Sequence, residues 1–334
     1  MKRRILILTE CGSEIGFGHL TRCQSLANMF CKVGWEACLW VAVDEATSIK
    51  LPFGIAPINW HRLTCDVAAE LRRTDAVVVD SQVVTVEQIE KLGELNPNIA
   101  IIDDWKRRVY RTGIVIDWTI GAENSAFTER SANVLYLLGS KYCALREAFQ
   151  EAPQRHISEF PHSILVTFGG SDIRQLTVPV LSMLNDQFPL MHKDVVVGNG
   201  VRDKQIWQKI RYPLTTFHIA CNASQMRLLM SKSDIAISAG GQTLYELASQ
   251  GLPPLVIGVA DDQQEDIQGF ERGGFAISIG DWHNPSIFPL ITSAVQTLWP
   301  VAERRRRSAL GRKIVDGGGA QRVVAACLEH WQQK

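Results

Sequence analysis

Two adjacent glycines, Gly240 and Gly241, separate an apolar run from a helical pattern in the second half of the chain. Residues 234–237 form a short run rich in β-branched side chains, which is typical of a buried strand. The apolar residues within 244–248 recur at helical spacing, so a helix is predicted to begin near Gln242-Thr243. A strand that ends at two glycines and continues as a helix leaves bare backbone for a ligand to approach.

The chemistry that this arrangement supports is phosphate binding. The N–H groups of a first helical turn have no intrahelical acceptor, and the helix dipole adds partial positive charge there. Gly240, Gly241, Gln242 and Thr243 are therefore candidates to hold a phosphate. Glu246, about one turn further on, is placed to accept hydrogen bonds from ribose hydroxyls. The alternative is a strand–turn–helix corner whose glycines only permit tight packing.

A second candidate is a histidine that follows a glycine loop near the start of the chain. Gly16-Phe17-Gly18-His19 comes after the apolar run 5–8 and before a helical pattern. Because His19 stands at the predicted helix start, it is expected outside the core, where an imidazole beside a phosphate-binding loop can act as a general base. It could instead cap or pack at the turn. A dinucleotide site is disfavoured because Thr21 occupies the third glycine position of that fingerprint.

Polar residues follow three other predicted strands. Gly169-Gly170-Ser171-Asp172 is compatible with ligand contact, or with an ordinary turn in which Ser171 or Asp172 caps the next helix. Asp103-Asp104 and Asp262-Gln263 belong to no larger carboxylate and histidine cluster, and no Asp-x-Asp occurs. The sequence therefore disfavours a metal-bridged nucleotide-sugar site and predicts no bound metal.

The bulk composition narrows the class of protein. The 334 residues include 35 basic and 35 acidic side chains, so nothing global suggests nucleic acid or a membrane surface as a partner. No apolar run approaches the roughly 18 residues of a transmembrane helix, and the start of the chain is expected to be a first strand rather than a signal peptide. The eight cysteines are scattered without a Cys-x-x-Cys pair, which favours reduced thiols, no zinc and a cytoplasmic enzyme.

Short apolar runs alternate with amphipathic stretches in both halves of the chain, which is typical of doubly wound parallel sheets. A polar, proline-containing segment at 150–161 interrupts the pattern and is expected to be a linker between two such α/β domains. The predicted strands are Ile5–Leu8, Ala37–Val43, Ala76–Val79, Ile99–Ile102, Thr119–Ile120, Val134–Leu138, Ser163–Thr167, Asp194–Val197, Thr215–Ile219, Ile235–Ile237 and Pro254–Val259. The predicted helices are Leu20–Lys32, Cys65–Arg73, Thr85–Leu92, one that begins at about Gln175, Ser224–Ser231, Thr243–Gln250 and Ala320–Trp331.

Together these loops resemble those of the PseG-type UDP-sugar hydrolases, a family related in fold to MurG and other GT-B glycosyltransferases. Members of that family release UDP from UDP-2,4-diacetamido-2,4,6-trideoxy-altrose in pseudaminic acid biosynthesis. The similarity spans most of the chain. The motifs that carry it are Ser13-Glu14-Ile15-Gly16-Phe17-Gly18-His19 with Arg22, Asp103-Asp104, Gly139-Ser140-Lys141-Tyr142 with Leu145-Arg146-Glu147-Ala148-Phe149, Phe168-Gly169-Gly170-Ser171-Asp172, Ile237-Ser238-Ala239-Gly240-Gly241 with Glu246, and Asp262-Gln263.

The resemblance implies a GT-B fold, with two Rossmann-like doubly wound parallel-sheet domains and an interdomain cleft. Residues 1–152 would form the N-terminal domain with the histidine loop, and 160–318 the C-terminal, UDP-binding domain. Residues 319–334 would form a helix that could pack back on the first domain. The resemblance also implies a UDP-sugar substrate and no cofactor.

Residue by residue, the resemblance assigns roles on both domains. His19 matches the family's histidine that activates water. The helix start at Gly240, Gly241, Gln242 and Thr243 matches the phosphate-binding element, and Glu246 matches the acidic residue on the ribose. The loop from Gly16 to Gly18 would face the diphosphate from the other domain, and Gly170 is a further candidate for phosphate contact.

Three departures from the family pattern cluster where the sugar or the attacking water would lie. The family's Arg-x-Asp is Leu8 and Glu10 here, its Asp-His-Tyr is Asp80-Ser81-Gln82, and its Asn-Gln is Asp262-Gln263. These departures suggest a retained nucleotide site with an altered sugar pocket. The candidate residues of that pocket are Glu10, Gln82, Asp104, Asp262 and Gln263.

Three functions remain open from the sequence. The first is hydrolysis of a UDP-linked sugar of the diacetamido-trideoxy type, in nonulosonic acid or surface polysaccharide biosynthesis. The second is transfer of the sugar from the same donor to a hydroxyl acceptor, because His19 would serve equally well as the base. The third is UDP-sugar binding without catalysis, which the departures in the sugar pocket favour.

Overall fold

The chain folds into two compact units. The computed structural model describes residues 2–12, 15–43, 55–104, 109–124, 131–151, 154–198, 200–201, 207 and 211–332. One unit comprises Met1–Arg146 together with Gly318–Lys334, and the other comprises Glu147–Gly317. The motif residues Ser13 and Glu14, and residues 152–153 of the expected linker, lie outside the described residues.

The first unit is built on seven strands. They are β1 (Arg4–Cys11), β2 (Glu36–Val43), β3 (Ile55–Pro57), β4 (Ala76–Asp80), β5 (Ile99–Ile102), β6 (Gly113–Asp117) and β7 (Val134–Leu138). Its first three helices are α1 (Gly18–Lys32), α2 (Cys65–Arg73) and α3 (Val86–Leu95). The strands pair in parallel in the order β3-β2-β1-β4-β5-β6-β7. Strands β4, β5 and β6 are buried along their whole length, which explains their continuous apolar sequences.

The second unit is built on six strands. They are β8 (Ser163–Thr167), β9 (His192–Val197), β10 (Thr215–Ile219), β11 (Ile235–Ala239), β12 (Pro254–Gly258) and β13 (Ile277–Asp281). The helices are α4 (Thr177–Gln187), α5 (Ala223–Lys232), α6 (Gln242–Gln250), α7 (Gln264–Arg272), α8 (Ile287–Thr297) and α9 (Val301–Ile314). The strands pair in parallel in the order β10-β9-β8-β11-β12-β13. The predicted α/β class with two doubly wound parallel sheets is thereby confirmed.

The last helix, α10 (Gly319–Gln332), belongs to the first unit although it follows the second in sequence. Its Trp331 ring stacks on Phe30 of α1, with ring centroids 6.1 Å apart. Cys327 and Val324 of the same helix are fully buried, so the packing is apolar. None of the described helices combines the length and the apolarity needed to cross a membrane.

One predicted strand is wrong. Thr119–Ile120 lies outside the sheet, and the strand of this region is β6, which ends at Asp117. The Asp117 carboxylate accepts a hydrogen bond from the Thr119 N–H (2.9 Å), a local turn that leads the chain out of the ladder. Two strands were not predicted, namely the short edge strand β3 and β13, whose Gly280 has a positive φ of 97° beside a shift in strand register.

Each sheet has one point at which the strand order reverses. In the first sheet β1 lies between β2 and β4, and in the second β8 lies between β9 and β11. Parallel sheets bind ligands beyond the carboxyl ends of the strands at such a switch point. The loops that follow β1, β4, β8 and β11 are therefore the places to look for a site in each unit.

Candidate functional site

Helix α1 presents a histidine and an arginine on its buried face. The helix begins at Gly18, and its buried residues include Leu20, Cys23, Leu26 and Phe30, which pack toward the sheet. His19 and Arg22 are three residues apart and therefore share that face. The helix that follows β1 thus carries an imidazole and a guanidinium directly to the carboxyl end of the first sheet.

His19 is bound to a carboxylate at the end of the neighbouring strand. Its Nδ1 lies 2.7 Å from Oδ1 of Asp80, the last residue of β4. The prediction that His19 stays outside the core is wrong, because only 7% of the residue is exposed. Its burial is tolerated because Asp80, which is fully buried, supplies a charged partner.

Arg22 joins this pair to a second carboxylate. It donates from Nε to Asp80 Oδ2 and from Nη2 to Asp80 Oδ1, each at 2.6 Å, and from Nη1 to Asp104 Oδ2 at 2.5 Å. Burial alone would raise the pKa of the Asp80 carboxyl, but the charges and hydrogen bonds of Arg22 and His19 outweigh it and hold that pKa well below its usual range. The guanidinium also lies over the Trp118 ring, 5.1 Å from its centroid.

The proton on His19 can be placed from these contacts. Nδ1 of His19 lies 2.7 Å from Asp80 and 3.0 Å from Arg22 Nη2, and it cannot donate to one while accepting from the other. Asp80 is a carboxylate and can only accept, so Nδ1 carries the proton. The second nitrogen, Nε2, is then a free acceptor, because no hydrogen bond among the described residues engages it.

Glu10, near the end of β1, is the centre of a second buried group of hydrogen bonds. Its side chain is fully buried, and it accepts hydrogen bonds from Ser81 Oγ (2.6 Å) and from the Gln82 N–H (2.6 Å), with His61 Nε2 at 3.1 Å. Burial would raise the pKa of Glu10, but His61, Ser81, Gln82 and the nearby His19 together lower it. The Glu10 oxygens are thus used within the protein, while the Gln82 side chain is half-buried at the same edge.

The first glycine of the loop before α1, Gly16, is held by backbone hydrogen bonds to Gly12. Gly16 and Gly12 exchange two backbone hydrogen bonds of 2.8 and 3.1 Å, and Gly16 has a φ of 84°, a region that favours glycine. A Cβ at Gly18 would meet nothing within 4 Å, so no packing demand explains that glycine. Gly18 is exposed, so a ligand can approach the backbone there, and phosphate contact by this loop stays a prediction.

In the second unit, a glutamine side chain ties together the ends of two strands. Gln263 Oε1 accepts hydrogen bonds from the N–H groups of Gly240 (3.0 Å) and Val259 (3.2 Å). A Cβ at Gly240 would lie 2.6 Å from Ile267 Cδ1, so glycine is required there for packing. Gly240 therefore fits the packing alternative, and its N–H already donates to Gln263. Asp262, the neighbour of Gln263, is exposed in the turn.

Gly241 differs from its neighbour. It is the N-cap of α6 and has no capping side-chain bond, and a Cβ there would meet only Gln263 Nε2 at 3.9 Å. The following residues Gln242 and Thr243 are half-buried in the first turn, where helix N–H groups point outward. This half of the motif fits the phosphate prediction. Glu246 is only 2% exposed, so a ribose hydroxyl would have to approach it within the helix packing.

The loop after β8 is shaped around an arginine that the sequence did not single out. The N-cap of α4 is Leu176, so the alternative in which Ser171 or Asp172 is the N-cap residue is wrong in its position. The Asp172 carboxylate nevertheless accepts from the N–H groups of Leu176 (2.9 Å) and Thr177 (3.1 Å) at the helix start. Gly170 is exposed. Arg174 donates from Nε to the Val259 carbonyl at 3.0 Å. No hydrogen bond within the described part of the chain engages its outer nitrogens, although its charge interacts with the Asp281 carboxylate at the end of β13.

The stacking partner of Arg174 follows β13. The guanidinium lies over the Trp282 ring, 4.3 Å from its centroid. Arg174 stands between Asp172 and Gln175, which have φ values of 43° and 53°, an arrangement unusual for residues other than glycine. Only the position of Arg174 in a polar loop after a strand could have indicated it from sequence, because the stacking depends on β13.

Among the described residues, no group of three or more His, Cys, Asp or Glu side chains lies close enough together to hold a metal ion. Asp103 is used differently from Asp104: it accepts a hydrogen bond from the Tyr110 hydroxyl at 2.9 Å. The structure thus brings His19, Glu10, Gln82 and Asp104 to one edge of the first unit. It brings Gly170, Gly240, Gly241, Gln242, Thr243, Asp262 and Gln263 to the corresponding edge of the second.

Comparison with known proteins gives three distant relatives, and no family model matches. The chain is 28% identical to the spore coat polysaccharide biosynthesis protein SpsG of Bacillus subtilis, over 98% of each chain. It is 25% identical to the uncharacterized protein MJ1062 of Methanocaldococcus jannaschii, over 78% of this chain and 57% of that protein. It is 24% identical to the pseudaminic acid cytidylyltransferase and UDP-2,4-diacetamido-2,4,6-trideoxy-beta-L-altropyranose hydrolase of Helicobacter pylori, over 81% of this chain and 47% of that protein. The chain thus spans about half the length of the last two relatives.

Solved structures confirm the fold. MurG of Acinetobacter baumannii superposes with a TM-score of 0.63 at 14% identity, covering 98% of this chain and 99% of that one. A putative UDP-N-acetylglucosamine 2-epimerase of Listeria monocytogenes superposes with a TM-score of 0.64 at 14% identity, covering 100% and 98%. The predicted pair of Rossmann-like domains is therefore that of GT-B proteins.

Proposed function

We propose that the protein hydrolyses a UDP-linked amino sugar and releases UDP. The observation that carries this proposal is the buried His19–Asp80 pair at the carboxyl end of a parallel sheet, with Nε2 of the imidazole left to accept a proton. A histidine whose other nitrogen is bound to a carboxylate has a fixed tautomer and a fixed orientation, as general bases require. The Arg22 contacts hold Asp80 charged and in place.

In the proposed reaction, water attacks the anomeric carbon of the sugar. The water proton passes to His19 Nε2, the new bond forms between the water oxygen and C1, and the bond from C1 to the diphosphate oxygen breaks. The electron pair of that bond leaves with UDP, and the configuration at C1 inverts. Each step is performed by protein side chains and backbone, and none is assigned to a metal ion or cofactor.

The second unit is proposed to stabilise the leaving group. Negative charge grows on the diphosphate as the bond breaks, and the first turn of α6 at Gly241, Gln242 and Thr243 offers N–H groups and the positive end of a helix dipole. The outer nitrogens of Arg174, whose guanidinium is fixed by Val259 and Trp282, offer hydrogen-bond donors and a positive charge that the Asp281 carboxylate offsets in part. Glu246 is the proposed partner of the ribose.

Three comparisons support this choice of substrate. The Bacillus subtilis relative is named for polysaccharide biosynthesis, and the Helicobacter pylori relative is named in part as a UDP-sugar hydrolase. The neighbours of known structure include glycosyltransferases, such as a spinosyn rhamnosyltransferase complexed with thymidine diphosphate. Among these names, only that of the Helicobacter pylori relative contains a UDP-sugar, and it is the source of the diacetamido-trideoxy sugar in the proposal.

Transfer of the sugar to a hydroxyl acceptor is the second candidate. The GT-B neighbours that are glycosyltransferases favour it, since His19 would deprotonate an acceptor hydroxyl as it would water. Release of UDP from UDP-2,4-diacetamido-2,4,6-trideoxy-β-L-altropyranose, measured with and without candidate acceptors, separates the two. Hydrolysis predicts release without acceptor, whereas strict dependence on an acceptor would support transfer.

Variants tie the activity to the proposed base. His19→Ala should lower kcat by roughly 10²- to 10⁴-fold, the usual contribution of a general base, while UDP still binds. His192→Ala is the matched control, because His192 also lies near a carboxylate (3.5 Å from Asp194) but at the amino end of its strand. Equal loss of activity in both variants would contradict the assignment of His19.

A further inference from the structure

A second imidazole reaches the same edge of the first unit on a buried carboxylate. Glu10 Oε2 accepts from Ser81 Oγ at 2.6 Å and lies 3.1 Å from His61 Nε2, while Oε1 accepts from the Gln82 N–H. Glu10, Ser81 and Gln82 are positions at which the sequence departs from the PseG-type pattern. These three residues are therefore connected by the hydrogen bonds to Glu10. His61 joins the same cluster, and its side chain is more exposed than that of Glu10.

His61 is fixed from several sides and still reaches the surface. Its ring packs edge-on against Trp60, with centroids 4.4 Å apart, and Trp60 Nε1 donates to the Thr9 carbonyl at 2.7 Å. The His61 carbonyl accepts from Gln88 Nε2 at 3.2 Å. The side chain is 24% exposed although the Glu10 side chain beneath it is fully buried. Such a ring is preorganised, so a ligand that contacts it loses little entropy in ordering it.

The carboxylate determines which nitrogen of His61 faces outward. Glu10 already accepts from Ser81 and Gln82 and is charged, so Nε2 of His61 donates to it. Nδ1 is then left for other partners, and no hydrogen bond or ion pair in the described part of the chain engages it. Glu10 also interacts electrostatically with His19, which places both imidazoles around the same carboxylate.

We propose that His61 is a second substrate-contacting residue, whose Nδ1 binds a hydroxyl or acylamino substituent of the sugar, and that Glu10 is the residue that positions it. This inference rests on the proposed function, because it assigns the sugar to the edge that carries His19. Hydroxyl and acylamino groups are the substituents of an amino sugar that can donate a hydrogen bond to an imidazole nitrogen. His61 is thus a determinant of sugar specificity rather than of nucleotide binding.

The test measures the sugar-dependent part of binding in a protein that cannot turn over. In a His19→Ala background, dissociation constants are determined by calorimetry for UDP, UDP-2,4-diacetamido-2,4,6-trideoxy-β-L-altropyranose and UDP-N-acetylglucosamine. His61→Phe keeps a planar ring against Trp60 but removes the hydrogen bond. It should weaken binding of at least one UDP-sugar about three- to tenfold, the value of one hydrogen bond, and leave UDP binding unchanged.

Further variants separate positioning from structure. Glu10→Gln should weaken the same UDP-sugar in the same direction without affecting UDP, and His192→Phe should change neither. His61→Gln, which retains a polar side chain, replaces His61→Phe if that variant does not fold. The inference is overturned if the ratio of UDP-sugar to UDP affinity is unchanged, if both affinities fall together, or if neither UDP-sugar binds the parent protein.

Turnover by the wild-type protein is scored separately. Acceptor-free UDP release with an unchanged affinity ratio in His61→Phe would sustain the proposed function and overturn the role of His61. Sugar-dependent binding that is lost in His61→Phe, without any turnover by the wild type, would sustain the role of His61 and overturn the hydrolase proposal.

Discussion

Replacing Asp80 by asparagine tests how much the buried ion pairs of Asp80 with His19 and Arg22 contribute to stability and to turnover. Asp80 accepts from His19 Nδ1 (2.7 Å), Arg22 Nε and Nη2 (2.6 Å each) and Cys23 Sγ (3.4 Å). Asparagine offers one acceptor oxygen, and its amide NH₂ must face at least one of these donors. Removing one partner of a buried ion pair costs roughly 3–5 kcal/mol. We expect a value near the lower limit, because Asp104 still pairs with Arg22.

The same substitution should reduce turnover by disturbing the His19 tautomer. If Nδ1 no longer donates to position 80, Nε2 is no longer held as the acceptor, and we expect kcat to fall by about 10²-fold or more. Urea unfolding gives the change in free energy, and acceptor-free UDP release gives kcat at a temperature where the variant is folded. Asp103→Asn is the matched control, because that buried carboxylate accepts from the neutral Tyr110 hydroxyl. A kcat for Asp80→Asn within twofold of wild type would refute the reasoning.

Three further predictions concern the other contacts. Gly240→Ala should cost about 1–3 kcal/mol in urea unfolding, because its Cβ would lie 2.6 Å from Ile267 Cδ1, whereas Gly241→Ala should cost less than about 1 kcal/mol. Arg174→Met should raise the Kd for UDP about tenfold by calorimetry, since a charge-assisted contact with the diphosphate is lost. The folded protein lowers the pKa of Glu10, so the Glu10 carboxylate stabilises the fold above the ordinary glutamate pKa, and this stabilisation is lost as pH falls through the folded-state pKa. The loss of unfolding free energy caused by Glu10→Gln should therefore be smaller at pH 3 than at pH 7.

Each of these predictions has a contrary result. Equal unfolding free energies for the alanine variants at 240 and 241 would contradict the packing assigned to Gly240. An Arg174→Met protein that binds UDP as the wild type does would remove Arg174 from the leaving-group site. Arg227→Met, on α5, is the control variant and should bind UDP as the wild type does. A Glu10→Gln deficit that stays constant with pH would show that the carboxylate charge does not stabilise the fold.

The sequence predicts the sheets well because parallel strands are local apolar runs. β4 and β12 are continuous buried runs, so their existence follows from composition, and each predicted strand ends within one residue of the observed end. The strand near Thr119 was misplaced because an aspartate side chain, rather than a change in hydropathy, ends β6. β3 escaped prediction because its three residues pair only at the sheet edge.

The candidate site was predictable in part. The histidine loop and the glycine pair are contiguous motifs, and His19 and Gly241 stand at the helix starts that they predict. The carboxylate partner of His19 comes from β4, 61 positions along the chain, so neither the burial of His19 nor the Asp80 contact is visible in local spacing. His61 contacts Glu10 across 51 positions of sequence, which is why no motif contains it.

Isotope transfer from water tests the central claim most directly. The wild-type protein is incubated with UDP-2,4-diacetamido-2,4,6-trideoxy-β-L-altropyranose in heavy-oxygen water without acceptor, and both products are analysed by mass spectrometry before the sugar exchanges its anomeric oxygen with solvent. Attack of His19-activated water at C1 predicts one heavy oxygen in the released sugar and none in UDP. Heavy oxygen in UDP would mean that a phosphorus–oxygen bond is cleaved instead, and would contradict the account.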